Sequence, residues 1–355
     1  MKAAITHHMP NQFWQGCAAH KIELAIKPIT EEKSIKATTA LHNKVVTHVK
    51  VSQRTREKLC RLQKEATVKT KMLPLSCATR WGSTFNQAEV MLEHKLAIEM
   101  ALDSDNAERR GPNFVYKEID WANTKFYSKM LEVFAAAVKV LHGDQFLTNS
   151  MMPVLCAMLH PVIIERATDP GLPDNLEEAA MKTFDGFAEG FSEPSNAEKI
   201  AAYLDVRSKN LEWASGFEAG TCGIVIKAAV MEIYELDARG TAMEDQLSPV
   251  AGAVATSEFE EREDEQAKEA AAQELALYEK EAALPEEASS QDVLDWWFAH
   301  RSTFPTLYRV ACTYLAIPAT PGTAERIVST AGNVVTLKRN RLDPETVNDL
   351  VFLVV

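Results

Sequence analysis

Four places in this 355-residue chain combine residue types and spacings that can do chemistry. The first is Cys17-Ala-Ala-His20, a thiol and an imidazole three positions apart and therefore neighbours on one helical face. A zinc site needs four such ligands, and neither His7 nor His8 completes a recognised pattern, so the pair reads as structural, at a helix start, and no metal is expected. The second is Arg80-Trp81. A guanidinium beside a large aromatic can grip a phosphate and stack on an unpaired base, or can anchor a helix start with the arginine solvating the indole edge. The third is Glu325, in the first turn of a predicted helix, where any carboxylate favours the helix dipole. The fourth is the cation cluster Lys338, Arg339 and Arg341, suited to phosphate or to a solvated turn.

The elements that must position these groups are most legible in the last 65 residues. Pro305 suits a first helical position, and Leu307, Val310, Ala311, Tyr314 and Leu315 then share one face. Ile317-Pro318 stops that helix. Thr320-Pro321 starts another, with Ala324, Ile327, Val328 and Ala331 on its apolar side and Gly332-Asn333 ending it. Asp343-Pro344 opens a last one, with a stripe of Val347, Leu350 and Val351. Helices this short must bury their stripes against the rest of the chain or against a second copy.

These same residues carry a resemblance. Asp292-Val-Leu-Asp-Trp-Trp, Phe304-Pro305-Thr-Leu, Ala311-Cys-Thr-Tyr-Leu-Ala-Ile-Pro-Ala-Thr320, Ala324-Glu-Arg-Ile-Val-Ser-Thr-Ala-Gly332 and Lys338-Arg-Asn-Arg-Leu342 fall in order. They resemble the C-terminal dimerisation region of hAT-superfamily transposases and of host proteins derived from them. Ala324 and Val328 stand where that family usually has Ser and Phe. The resemblance implies association with a second copy, or with a related hAT-type protein, through residues 291–355. Trp296, Trp297, Phe298, Leu307, Tyr314, Leu315, Leu350 and Phe352 are the candidates for its core, because aromatic anchors dominate such surfaces.

The resemblance also bears on the four chemical places. Cys17-Ala-Ala-His20-Lys-Ile-Glu-Leu resembles the family's Cys-x-x-His motif, which is linked to DNA-end handling. Thr79-Arg-Trp-Gly-Ser-Thr84 is similar to the motif that pairs Arg and Trp near a flipped base. Cys17, His20, Arg80 and Trp81 are therefore candidate DNA contacts, joined by Lys338, Arg339 and Arg341. Glu325 matches the third acidic residue of the transposase site, in which three carboxylates hold two divalent ions (Mg²⁺ or Mn²⁺) that activate water and stabilise the leaving oxygen.

In the family the other two carboxylates lie on an RNase H-like sheet before the Cys-x-x-His pair. Residues 1–16 hold no Asp or Glu, and the earliest carboxylate is Glu23. Asp205 is not an obvious substitute, since its segment resembles a Leu-Asp-Pro-Arg motif with Val206 in the proline's place. The expectation is an incomplete catalytic set, hence no enzyme and no cofactor. No Cys-x2-Cys with paired His marks a BED-type finger, so any DNA binding is expected to be weak and without sequence choice. Two other readings stand: an active transposase whose missing aspartates lie in a further N-terminal part, and a helical scaffold that neither dimerises nor binds DNA.

Composition sets the frame. Apolar content of 46% and charged content of 25% are ordinary for a globular chain. The net charge of −12 hides two opposed regions. Residues 1–80 carry 15 Lys/Arg against 5 Asp/Glu, and residues 258–287 carry 12 Asp/Glu against 3 Lys/Arg, so only the first can face phosphates. Six scattered cysteines suit reduced thiols. No signal peptide is visible, runs such as 133–138 fall short of a membrane span, and a soluble intracellular protein is expected, nuclear by resemblance.

The expected fold is mainly α: an incomplete RNase H-like α/β domain interrupted by an all-α insertion, ending in a helical dimerisation region. Boundaries follow at 1–81 (RNase H-like remnant with a basic helix or helix pair), 82–239 (insertion), 240–290 (acidic disordered linker) and 291–355 (dimerisation region). Arg80-Trp81-Gly-Ser-Thr84 leads into one predicted helix, with Phe85, Ala88, Leu92, Leu96 and Met100 along one side. Another spans 118–141 with a stripe from Ile119 to Ala137, a third runs over 151–167, and no convincing alternating strand exists.

Overall fold

The computed structural model of the chain describes residues 16–66, 68–77, 80–107, 113–143, 147–210, 269, 272–321 and 346. Every regular element among them is a helix: α1 (Ala18–Thr30), α2 (Lys33–Val51), α3 (Gln53–Glu65), α4 (Trp81–Glu93), α5 (Lys95–Ala107), α6 (Glu118–Leu141), α7 (Thr148–Ala167), a 3₁₀ turn (Asp174–Leu176), α8 (Glu177–Gly190), α9 (Asn196–Leu204), α10 (Ser290–His300) and α11 (Pro305–Leu315). Residues 272–280 are helical as well. The ends are set by local chemistry. Glu32 caps α2, its carboxylate accepting from the amides of Ser34 and Ile35. Ser52 separates α2 from α3, and its hydroxyl accepts from the Thr55 amide at 3.3 Å. Reciprocal capping boxes open α9 (Ser195 with Glu198) and α10 (Ser289 with Asp292).

The chain divides into two compact units. One takes in His20–Val138 and Leu159–Ser192. Its core joins α2, α3, α4 and α5 through Val45, Val49, Leu59, Met91, Ile98 and Leu102, with Trp121 of α6 against it. The connector 68–77 is held by the buried side chain of Leu73 and by side-chain amides. Asn43 Oδ1 accepts from the Ser76 amide (3.1 Å) and from Gln87 Nε2 (3.0 Å), and Gln63 Nε2 donates to the Lys71 carbonyl (3.0 Å). In the same unit α1 and α8 approach closely at Gly186, where a Cβ would stand 3.3 Å from the Ala25 Cα. Ile22, Ile26 and Ile29 are buried along α1, and Phe134 meets Phe187 edge-on at 5.9 Å.

The other unit takes in Met1–Ala19, Lys139–Met158 and Glu193–Val355. Its core gathers Leu147, Ile200, Leu204, Val206, Tyr278, Val293, Trp297, Phe304 and Leu307. At its centre the turn after α9 carries a buried ion pair: Arg207 donates to Asp205 through Nε (2.9 Å) and NH2 (2.6 Å). Asp205 also accepts from Ser150 Oγ at 2.7 Å, while Arg207 NH1 reaches the Ala288 carbonyl at 3.1 Å. Lys209 lies 4.7 Å from the centre of the Tyr278 ring and donates to the carbonyls of Tyr278 and Glu281.

The structure refines the expectations at four places. Residues 80–107 form two helices, not one, because the chain turns at His94; this rotates Leu96 (65% exposed) and Met100 (50%) out of the stripe. Ile119 at the start of α6 is also outside the core, 45% exposed. The late part of the segment expected as a disordered or partly helical linker is helical over 272–280 and is anchored in its unit's core by Leu275 and Tyr278, apolar residues within the acidic background. The segment's earlier part, through residue 268, lies outside the described residues. Finally, α7 is a 20-residue helix long and apolar enough to cross a membrane by length and composition. Its first turn is instead tied down by polar contacts within its unit: Ser150 to Asp205, Asn149 to the Ala197 carbonyl at 3.3 Å.

Candidate functional site

Within residues 272–315, the aromatic residues stack into a ladder. Trp297 is 1% exposed and stacks on Tyr278, ring centres 5.3 Å apart, and Tyr278 Oη donates to the Tyr203 carbonyl at 2.8 Å. Trp296 stands perpendicular to Trp297 and stacks on His300 at 4.0 Å. Phe304, the residue before α11, is fully buried and has no side-chain oxygen to cap that helix. Glu274 supplies the cap: its carboxylate accepts from the amides of Thr306 and Leu307, both at 3.1 Å. Ser289 hydrogen bonds hold the Asp292 carboxyl below the usual carboxylate range, which keeps the box at the start of α10 charged.

This geometry sorts the residues expected at an association core. Trp297, Leu307 and Leu315 are buried in the core of their own unit, and Trp296 and Tyr314 pack half-buried against the same cluster. Phe298 alone among the described candidates points outward, 59% exposed. Leu350 and Phe352 lie outside the described residues. The structure adds residues that sequence reasoning passed over. Leu294, 42% exposed and one turn before Phe298, shares with it the wall of a groove between α10 and α11 whose cavity volume is about 270 Å³. Ala311 and Leu315 line that groove too, with Tyr308 and Cys312 from the exposed side of α11. The i, i+4 spacing of Leu294 and Phe298 was the available signal.

The candidate DNA contacts are placed as follows. Cys17 is half-buried immediately before α1; His20 lies in the first turn, exposed, 3.7 Å from the Glu23 carboxylate. Arg80 is the residue before α4, extended and exposed, and Trp81 is the first helical residue, half-buried. Ser83 braces that corner, accepting from the Cys77 amide (2.8 Å) and donating to the Arg80 carbonyl (2.7 Å). In the same unit α2 contains no acidic residue, and Lys36, Lys44, Lys50, Arg54 and Lys64 are exposed along α2 and α3. Glu325, Lys338, Arg339 and Arg341 lie outside the described residues. Among the described residues no three His, Cys, Asp or Glu side chains gather as a metal site would require.

Comparison with known proteins gives two family matches. Residues 274–354 match the hAT family C-terminal dimerisation region, and residues 16–128 match the ZBED1 RNase-like helical domain. The chain is 22% identical over 356 aligned residues to a Zea mays protein named for the AC transposase, covering 96% of this chain and 43% of that one. It is 21% identical over 346 aligned residues to the zinc finger BED domain-containing protein 4 of Homo sapiens, covering 95% of this chain and 28% of that one. The chain thus spans less than half the length of either relative. The first match begins at residue 274, whose carboxylate caps α11, ahead of residue 291.

Proposed function

We propose that this chain, an hAT-family transposase-related protein, self-associates through its C-terminal region and holds DNA by its phosphates, without choosing a sequence and without cutting it. One observation carries the first part: the stretch matching a dimerisation region keeps an apolar face, Leu294 and Phe298, in water beside an apolar groove. Sedimentation of the full chain over a concentration series tests it. A dimer is expected at micromolar concentration; a single copy throughout sinks the reading and leaves a helical scaffold.

The exposed cations of α2 and α3, with Arg80 at the head of α4, support the second part. Phosphate contacts release counterions, so affinity for nonspecific DNA should fall steeply with salt. Arg80→Ala should weaken the band shift at low salt by roughly tenfold, a loss of about 1.4 kcal/mol. An unchanged shift would remove Arg80 from the surface. Within this reading, residues 1–81 and the C-terminal region flank the helical insertion as parts of an RNase H-like domain, the protein works in the nucleus, and its partners are itself or related hAT-type chains. The absence of cutting is argued from charge: Glu325 is one carboxylate where two-ion chemistry takes three. Mn²⁺-dependent nicking by the purified chain that disappears in Glu325→Gln would overturn that part and favour an active transposase.

A further inference from the structure

We infer that the groove between α10 and α11 receives Phe298 from a second copy of this chain, each copy giving a phenyl ring and taking one. The inference rests on the self-association reading and specifies its contact. Phe298 and Leu294 form an outward ridge on α10, and the groove opens directly beside that ridge. A ridge and a groove on one face are self-complementary: a two-fold axis across that face seats both ridges at once, and the contact closes at two copies.

Size and polarity agree with a ring as the occupant. A dry apolar cavity of about 150 Å³ accepts benzene, and this groove offers about 270 Å³. Among the described lining residues the polar groups pair with one another: Gln291 Nε2 donates to Asp295 Oδ1 at 2.7 Å, and Tyr308 hydrogen bonds with Cys312. Before association Arg301 shields the ring. Its guanidinium lies 4.1 Å from the Phe298 ring centre and is anchored to the Phe298 carbonyl at 2.6 Å. Arg301 and Asp295 put opposite charges around the same ridge, which favours an antiparallel second copy over a parallel one.

The test uses the full chain and sedimentation equilibrium. Phe298→Asp places a charge where the ring would enter, and Cys312→Trp fills the groove from its own side; both positions are exposed, and the thermal melt of each monomer is expected to match wild type. Each variant should weaken dimerisation by about 30-fold or more, as loss of a buried aromatic anchor does. Wild-type Cys312 should react with a bulky maleimide more slowly at high protein concentration than at low. A dimer of unchanged affinity in both variants would overturn the reciprocal contact while leaving self-association standing. A wild-type chain that stays a single copy would remove both. Cys312 protected equally at all concentrations would seat a segment of the same chain in the groove, and the inference would fall.

Discussion

Trp297 and Leu204 are joined by a hydrogen bond, the indole Nε1–H donating to the Leu204 carbonyl at 2.8 Å with the indole almost wholly buried. Leu204 is the last residue of α9, where helix carbonyls lack an internal partner. The C-terminal region therefore caps a helix that precedes it by many residues. Trp297→Phe keeps most of the packing and strands that carbonyl, and should cost about 1–2 kcal/mol. Trp297→Ala adds a cavity and should cost about 3–5 kcal/mol. Urea denaturation separates the two.

Glu274 does for α11 what no residue at its own start can do. Replacing it by Ala should remove about 1 kcal/mol of stability, the usual worth of a lost N-cap. Replacing it by Gln keeps the acceptor but loses the charge at the dipole, so the cost should be about half of that. Thermal melts of the two variants check the order.

His42 is buried between two hydroxyls. Thr124 gives its one hydroxyl proton to the Asp120 carbonyl at 2.7 Å, so His42 Nε2 donates to Thr124 and Nδ1 accepts from Tyr116 Oη, each at 2.9 Å. Burial lowers its pKa from the ordinary 6.5 to about 4, opposed by the nearby charge of Asp120. Its neutral form is the stable one in the folded chain. Stability from this group is complete above pH 6.5 and drains away as pH falls toward 4, because the unfolded chain binds a proton that the folded one refuses. The full loss is on the order of 3 kcal/mol. His42→Gln, which offers one donor and one acceptor, should flatten the melting temperature between pH 7 and pH 4.5; an unchanged slope would remove His42 as its cause.

At Gly186 even a Cβ would stand 3.3 Å from the Ala25 Cα, so the α1 backbone would have to give by a few tenths of an ångström. Gly186→Val must push α1 and α8 apart and should destabilise by about 2–3 kcal/mol, whereas the same change at Gly190, where a Cβ meets nothing, should cost less than about 1 kcal/mol. Guanidinium midpoints of the two variants check the contrast.

Much of this was legible in the chain. The apolar spacing in α11 names its buried face, Leu307, Val310, Ala311 and Leu315, and Pro305 marks its first turn. What periodicity could not show was direction at the joints. The turn at His94 lies inside an unbroken apolar pattern, so Leu96 and Met100 keep the spacing of a buried stripe while facing water. Nor could it rank Trp297 against Phe298. Adjacent residues on a helix differ by about 100°, and only the position of Tyr278 decides which ring goes in. Tyr278 itself was hidden by the charge around it.

The amide of Ala18 donates to the carbonyl of Ala319 at 3.0 Å, and the amide of Ala319 donates to Thr148 Oγ1 at 2.9 Å. A ribosome releases Thr148 long before Ala319. At about 5–20 residues per second, the start of α7 waits roughly ten to thirty seconds for the segment that will bond to it. A nascent chain in that interval is a client for chaperones, and a message cut short ahead of α10 yields a product that stays one.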